Sequence, residues 1–242
     1  MNIVIDQGNA SAKVGLFDND NLLMSYIFKP LKESDIESLL RRFPLRRGIL
    51  CSVADIDLSI ITLLKKSLET FMILDDTVLL PVKIEYATPA TLGRDRIAAV
   101  VGAQVSQPGK PLLVIDAGTA ITYDFLDADG RYPGGTISPG MTIRFRALNA
   151  HTSRLPLLDE QGNLPEIGYN TETAIRSGVV KGVVYEMDGY ISEYRLKYPE
   201  LFVFLTGGHS FYFETKLKNS TFADVNLVLK GLNRILNYNV EA

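Results

Sequence analysis

Ile3-Val4-Ile5-Asp6-Gln7-Gly8-Asn9-Ala10 opens the chain, and Leu113-Val114-Ile115-Asp116-Ala117-Gly118-Thr119-Ala120 repeats its pattern 110 residues later. In each copy a short apolar run ends in Asp-x-Gly, a turn follows, and a second run begins (Ser11–Phe17 and Ile121–Phe125). Such a pattern predicts a β-hairpin whose tight turn carries a carboxylate, a flexible backbone and one small polar side chain. A third run, Leu22–Phe28, extends the first copy to a three-stranded meander, and the second copy continues towards Arg131–Ser138.

Outward from the hairpins, strands alternate with helices. Ile36, Leu39 and Leu40 recur at helical spacing within Glu33–Phe43. Gly48–Val53 reads as a buried strand, Ile56–Leu74 as a helix, and Thr77–Tyr86 as a strand that tolerates Pro81 only at an edge or bulge. Ile97, Val100, Val101 and Val105 mark a helix face that begins at Gly93, and Pro139–Ala150 reads as a short helix. Asn170 is the expected N-cap of a long helix to Leu196, ahead of Pro199. Leu201–Leu205 is a buried strand ending at Thr206-Gly207-Gly208, and Val225–Leu236 a terminal helix. The same alternation twice over predicts an α/β protein of two similar halves, 1–108 and 109–242, around a central cleft.

Composition excludes several function classes. Of 242 residues, 46% are hydrophobic and 22% charged, an ordinary globular mixture rather than a disordered or fibrous one. A formal net charge of −3 disfavours a protein that grips nucleic acid by its phosphates. One cysteine, Cys51, cannot form an internal disulfide, and two histidines, His151 and His209, are too few for a structural zinc site. Cys51 is expected as a small buried strand residue. The start MNIVIDQGNA lacks a basic n-region, and Ile97–Val105 is far shorter than the ~20 apolar residues a membrane helix needs. A cytoplasmic protein without membrane or nucleic-acid partners is expected.

Glycine turns between strands can point several N–H groups at an anion and let it approach closely. An Asp beside each turn would repel bare phosphate, but it can hold a cation or water that in turn contacts phosphate oxygens, as at Mg²⁺ sites. No G-x-x-x-x-G-K-[ST] or G-x-G-x-x-G is present, so a nucleotide site needs another architecture. Asp95 and Arg96, at the expected helix start, place a carboxylate base beside a guanidinium fork that can bind a planar carboxylate bidentately. A small hydroxy acid would need that pairing. Gly178 and Gly182 lie one turn apart, where each costs about 1 kcal/mol against Ala. They suggest a second backbone packed on that face, from the same core or from another subunit.

Six segments together resemble one family: Asp6-x-Gly8-Asn9, Gly93-x-Asp95-Arg96, Asp116-x-Gly118-Thr119-Ala120, Gly134-Gly135-x-Ile137-x-Pro139-Gly140, Asn170-Thr171-x-x-Ala174 and Thr206-Gly207-Gly208. The duplicated hairpins look like the acetate and sugar kinase, Hsp70 and actin superfamily, which implies two ribonuclease H-like (actin-like) halves, each a mixed sheet with flanking helices. Gly-x-Asp-Arg just before the second hairpin narrows the likeness to type III pantothenate kinase, which phosphorylates pantothenate with ATP at the start of coenzyme A synthesis.

By that resemblance Asp6, Gln7, Gly8, Asn9, Ala10, Ser11, Ala12 and Lys13 line the ATP phosphates, with Asp6 able to hold Mg²⁺ through water, and Thr119 contacts ATP from the second hairpin. Asp116 matches the position that coordinates a monovalent cation, potassium or ammonium. Gly93, Arg94, Asp95 and Arg96 match the pantothenate segment, with Asp95 as proton acceptor, and Tyr86 and Thr171 match two further pantothenate contacts. The family is dimeric. Two departures stand out: Ala10 where the family usually has Thr or Ser, and Arg94 in a slot usually filled by a smaller residue. Taken alone, Lys13 either reaches phosphate or is an exposed strand lysine, and capping would account for Asn170-Thr171. A kinase for another small hydroxy acid and a non-catalytic nucleotide-binding regulator also remain open on the residues.

Overall fold

The computed structural model describes residues 1–241. Ile3, Val4 and Ile5 are fully buried, so the first run forms a central strand, β1 (Asn2–Gln7). It turns into β2 (Ala12–Asp18), which pairs antiparallel with β1, and β3 (Asn21–Phe28) completes the expected meander. Helix α1 (Glu33–Arg42) follows, with Glu33 and Asp35 in its first turn and Arg41 and Arg42 in its last, each charge favourable to the helix dipole. β4 (Arg47–Ser52) then pairs parallel with β1.

Two readings of this region need correction. The predicted helix Ile56–Leu74 ends early: α2 covers Leu58–Ser67, capped by Asp57 whose side chain accepts from the Ser59 N–H at 2.9 Å. Thr70-Phe71-Met72-Ile73, rich in strand formers, instead becomes β5 (Thr70–Ile73), parallel to β4. The predicted strand Thr77–Tyr86 shrinks to β6 (Lys83–Ile84). Asp75 Oδ1 accepts from the Thr77 N–H and hydroxyl at 2.8 and 2.6 Å, forming a turn that competes with strand pairing. The Asn239 side chain then bridges the Leu79 N–H and C=O at 2.9 and 2.8 Å, taking the groups a neighbouring strand would need.

Helix α3 (Arg94–Ser106) starts at Gly93 as expected. The second hairpin is β7 (Leu112–Ala117) and β8 (Ala120–Leu126), followed by β9 (Arg131–Tyr132), which pairs with β6, and β10 (Gly134–Pro139). Helix α4 (Met141–Ala150) and the long α5 (Thr171–Lys197) come next, then β11 (Phe202–Thr206), the short α6 (Ser210–Glu214), β12 (Phe222–Ala223) and α7 (Leu227–Glu241). Asn170 is the N-cap of α5, accepting from the Thr173 N–H at 2.9 Å.

The first sheet runs β3-β2-β1-β4-β5 and the second β10-β8-β7-β11-β12, the same order built from corresponding strands. Both are mixed α/β sheets, and β7 pairs parallel with β11 as β1 does with β4. The first core gathers Ile3, Ile5, Val14, Leu16, Ile36, Leu50, Ile60 and Leu64; the second gathers Leu113, Ile115, Tyr123, Val183, Met187 and Leu205. The compact units do not follow the cut at 108. Unit 1 contains Met1–Lys110, Leu126–Gly134 and the chain from Asn226 onward; unit 2 contains Pro111–Phe125 and Gly135–Val225. The reason is local: β9 pairs with β6, and α7 lies backbone-to-backbone on α3, where a Cβ on Gly231 would stand 2.8 Å from the Gly102 nitrogen. Among the described residues no helix is long and apolar enough to cross a membrane.

Candidate active site

In unit 1 the β1–β2 turn is closed by the Gly8 N–H donating to the Ser11 carbonyl at 3.0 Å, and Asn9 and Ala10 are exposed at its tip. The Gln7 side chain donates to the Gly8 carbonyl at 2.9 Å. Asp6 lies half-buried on β1, in register with Lys13 across the hairpin and with Cys51 on β4. Burial drives the Asp6 carboxyl up to about 6; Lys13 opposes the shift and the charge of Asp95 adds to it. Asp6 therefore lies within electrostatic reach of both Lys13 and Asp95. Cys51 is fully buried, and burial first, then Asp6 and Asp95, push its thiol far above the ordinary range, which leaves it chemically quiet.

The Gly93–Arg96 segment sits at the start of α3. Asp95 Oδ1 accepts from the Arg96 N–H at 2.8 Å, and a Cβ on Gly93 would stand 2.6 Å from that oxygen, so a side chain there would displace the carboxylate. Arg96 is buried, with its guanidinium 6.0 Å from the centre of the Tyr86 ring. The Tyr86 ring covers Gly134, a residue with φ +135° where a Cβ would meet it at 2.7 Å. Tyr86, Gly93, Asp95 and Arg96 are thus one constellation in unit 1. Arg94 points elsewhere: its guanidinium is ion-paired with Asp76, the arginine mostly sheltered and the aspartate exposed.

In unit 2 the second hairpin is tighter, with the Gly118 N–H donating to the Ala120 carbonyl at 3.1 Å and Thr119 exposed at its tip. Asp116 is half-buried beside two glycines: a Cβ on Gly118 would lie 3.2 Å from its Oδ1, and Gly207, at φ +90°, packs against the same oxygen. Gly140 donates to the Thr119 carbonyl at 3.1 Å and leaves no room for a side chain against the turn. Thr206, in register with Asp116 on β11, is 1% exposed, and its Oγ1 has no hydrogen-bond partner among the described residues. An orphaned buried hydroxyl on the strand beside a carboxylate is costly unless a ligand completes it. That donor set, oxygens alone, suits a hard cation. Sequence reasoning marked Thr206 as the end of a strand and part of a matching segment, and gave it no role at the site. Thr171 is exposed at the first position of α5, where the capping bonds are made by Asn170 and Thr173 rather than by Thr171.

A family model described as type III pantothenate kinase matches residues 2–193. The chain belongs to the type III pantothenate kinase family. A type III pantothenate kinase of Bacteroides fragilis (strain YCH46) is 50% identical over 239 residues, covering 99% of this chain and 98% of its own. One from Flavobacterium johnsoniae is 38% identical over 243 residues, covering 100% and 99%. Among solved structures, a Campylobacter jejuni protein assigned to the Baf family of transcriptional activators covers 99% of this chain and 100% of its own, with TM-score 0.63 at 22% identity. A Sinorhizobium meliloti protein assigned as a 2-dehydro-3-deoxygalactonokinase covers 98% and 99%, with TM-score 0.57 at 13% identity. These structural likenesses support the actin-like fold of the family member.

Proposed function

We infer that this protein catalyses transfer of the γ-phosphoryl group of ATP, with a divalent metal, to the hydroxyl of pantothenate, the step that opens coenzyme A synthesis. Family membership over nearly the whole chain carries that reading. The site assignment is our proposal, supported by the unit 1 constellation in which Asp95, Arg96, Tyr86 and Asp6 converge. Asp95 accepts the hydroxyl proton as the oxygen bonds to phosphorus and the bond to the departing ADP oxygen breaks. Arg96, its fork sheltered beside Tyr86, binds the pantothenate carboxylate. Gly93 keeps the Asp95 carboxylate close and the backbone of Arg94 completes the segment; Thr171 is assigned to pantothenate by the family resemblance alone. The turn from Asp6 to Lys13 would cradle phosphate oxygens, with Ser11 the hydroxyl next to Ala10 in sequence, and Asp6 would be the residue to hold Mg²⁺, which would neutralise phosphate charge there. Transfer of this kind relies on positioning and charge neutralisation, since its transition state is loose.

Asp116 and Thr206 fit potassium or ammonium, which would supply charge neutralisation beside the second hairpin, where Thr119 meets ATP. The site is expected to work within a homodimer in the cytoplasm; the glycines of α5, each open where a Cβ would sit, support a second copy on that face. The test is ADP formation with pantothenate, ATP and Mg²⁺ in potassium and in sodium salts. Pantothenate-dependent turnover, faster in potassium, is expected; none in either salt would refute the reading. Asp95→Asn should retain pantothenate binding and lose ~10²–10⁴-fold in kcat. Unchanged kcat would remove Asp95 from the role of base.

A further inference from the structure

Unit 2 contains a polar chain that none of the steps above uses. Tyr123 on β8 is fully buried, stacked on Tyr190 with ring centres 4.1 Å apart, and its hydroxyl donates to Glu186 Oε1 at 2.8 Å. Glu186, on α5, accepts from Arg144 Nη2 at its second oxygen at 2.5 Å. Arg144, on α4, also donates Nε to the Pro139 carbonyl and Nη2 to Ser138 Oγ, both at 2.8 Å. The next residue, Gly140, rests on the turn of the second hairpin through its bond to the Thr119 carbonyl. Both members of the ion pair are largely sheltered, with side chains 22% and 24% exposed. Burial would raise the Glu186 carboxyl, yet hydrogen bonds from Arg144, Tyr123 and Ser138 hold it below its ordinary value.

A sheltered ion pair is weak evidence for stability, because the cost of dehydrating both charges offsets much of their attraction. Its strength is geometric, since a planar fork with several fixed donors defines one orientation. Here the fork grips backbone and hydroxyl at residues 138 and 139, immediately before the glycine that supports the turn. We propose that Arg144 and Glu186 are positioning residues for ATP: Glu186 orients the guanidinium, the guanidinium fixes Ser138-Pro139, and Gly140 thereby holds the Gly118-Thr119 turn where ATP meets it. Tyr123 locks the far oxygen of Glu186 from within the core. The proposal rests on the reading that this turn contacts ATP.

The experiment varies ATP and pantothenate separately in the full-length protein, for Arg144→Met, Arg144→Lys, Glu186→Gln and Thr119→Ala, with ATP dissociation constants measured alongside. Arg144→Met and Glu186→Gln should raise the KM and the dissociation constant for ATP by ~5–20-fold, with KM for pantothenate within ~2-fold, because displacing a positioning element weakens the one ligand it positions. Arg144→Lys, which keeps a donor and the charge, should recover part of the loss. Where Arg144→Met yields no folded protein, Arg144→Lys and Glu186→Gln are read by the same criterion. Loss of kcat with both KM values unchanged would mark a purely structural pair and overturn the proposal. So would ATP binding that weakens in Thr119→Ala but not in the Arg144 and Glu186 variants. If ATP binding is unchanged in all four, the ATP reading of the hairpin itself fails, and the proposal with it.

Discussion

The carboxyl of Asp6 is pushed up to about 6, first by burial, and that shift has a sign for stability. Between about pH 4 and pH 6 the folded protein holds a proton that the unfolded chain has released, so stability falls as pH rises through that window. The full shift is worth up to about 3 kcal/mol, and partial exposure reduces it to about 1–2 kcal/mol. Asp6→Asn should therefore raise the melting temperature by about 2–6 °C at neutral pH, with no gain near pH 4, while abolishing most turnover. Thermal melts of both proteins across this range check it; an equal melting temperature at neutral pH would show that burial of this charge costs the fold nothing. Asp6, Gly8, Asp116 and Gly118 were legible in the sequence because turn chemistry is local: the carboxylate and the glycine that frees it lie two residues apart. Thr206 was not, since its importance comes from lying opposite Asp116 on a strand 90 residues away in sequence. Arg144 and Glu186 were invisible for the same reason, each being an ordinary helix residue until the partner is known.

Helix α3 presents Asp95 and Arg96 at its first turn, and its other face meets α7 through two glycines. A Cβ on Gly102 would stand 3.1 Å from the Gly231 nitrogen and still closer to the Leu227 carbonyl, so neither helix can back away without moving the other. Gly231→Ala, despite its better helix propensity, should destabilise by about 1–3 kcal/mol through overpacking. It should also weaken pantothenate turnover, because any tilt of α3 moves its N-terminal residues. Denaturant unfolding and kinetics test both parts; a protein as stable and active as the parent would mean that the crossing is loose. Helices α1 and α3 were readable from apolar spacing, α3 with its start at Gly93, and α5 from its cap Asn170 and the Pro199 beyond it. The stretch from 68 to 86 was not. Leu68–Leu74 carries apolar residues that suit either period, and the choice of strand β5 is made by the open edge of β4. Between Thr77 and Pro81 the apolar residues looked like a strand, but Asn239, on the terminal helix, claims the Leu79 backbone. Pairing groups in the sequence do not announce such a distant competitor.

The duplicated strand order accounts for both sheets, and α5 precedes β11 as α1 precedes β4, but at 27 residues against 10 it outgrows its counterpart and keeps one face open. Ala174, Gly178, Tyr185 and Gly189 follow one another at helical spacing on that face, all exposed, with Tyr185 at 63%. Gly178, Gly182 and Gly189 each have nothing within 4 Å of where a Cβ would stand, so no backbone of the same chain repays their absence of side chain. Three helix-interior glycines cost about 3 kcal/mol against alanine, a burden that within one chain has no visible return. In a homodimer it has one: a second α5 can approach closely along the glycine face, and a twofold axis makes the same face serve both copies. The two situations predict opposite outcomes for Gly182→Leu. On a free face the leucine fills open space and strengthens the helix, raising the melting temperature with no change of mass. On a covered face it separates the two copies, so sedimentation should show the dimer giving way to monomer at micromolar concentration. We expect the second outcome, with a lower melting temperature that rises again as protein concentration increases, since association stabilises only the assembled state. A monomeric parent protein, or a variant that is dimeric and more stable, would leave the glycines of α5 without this explanation.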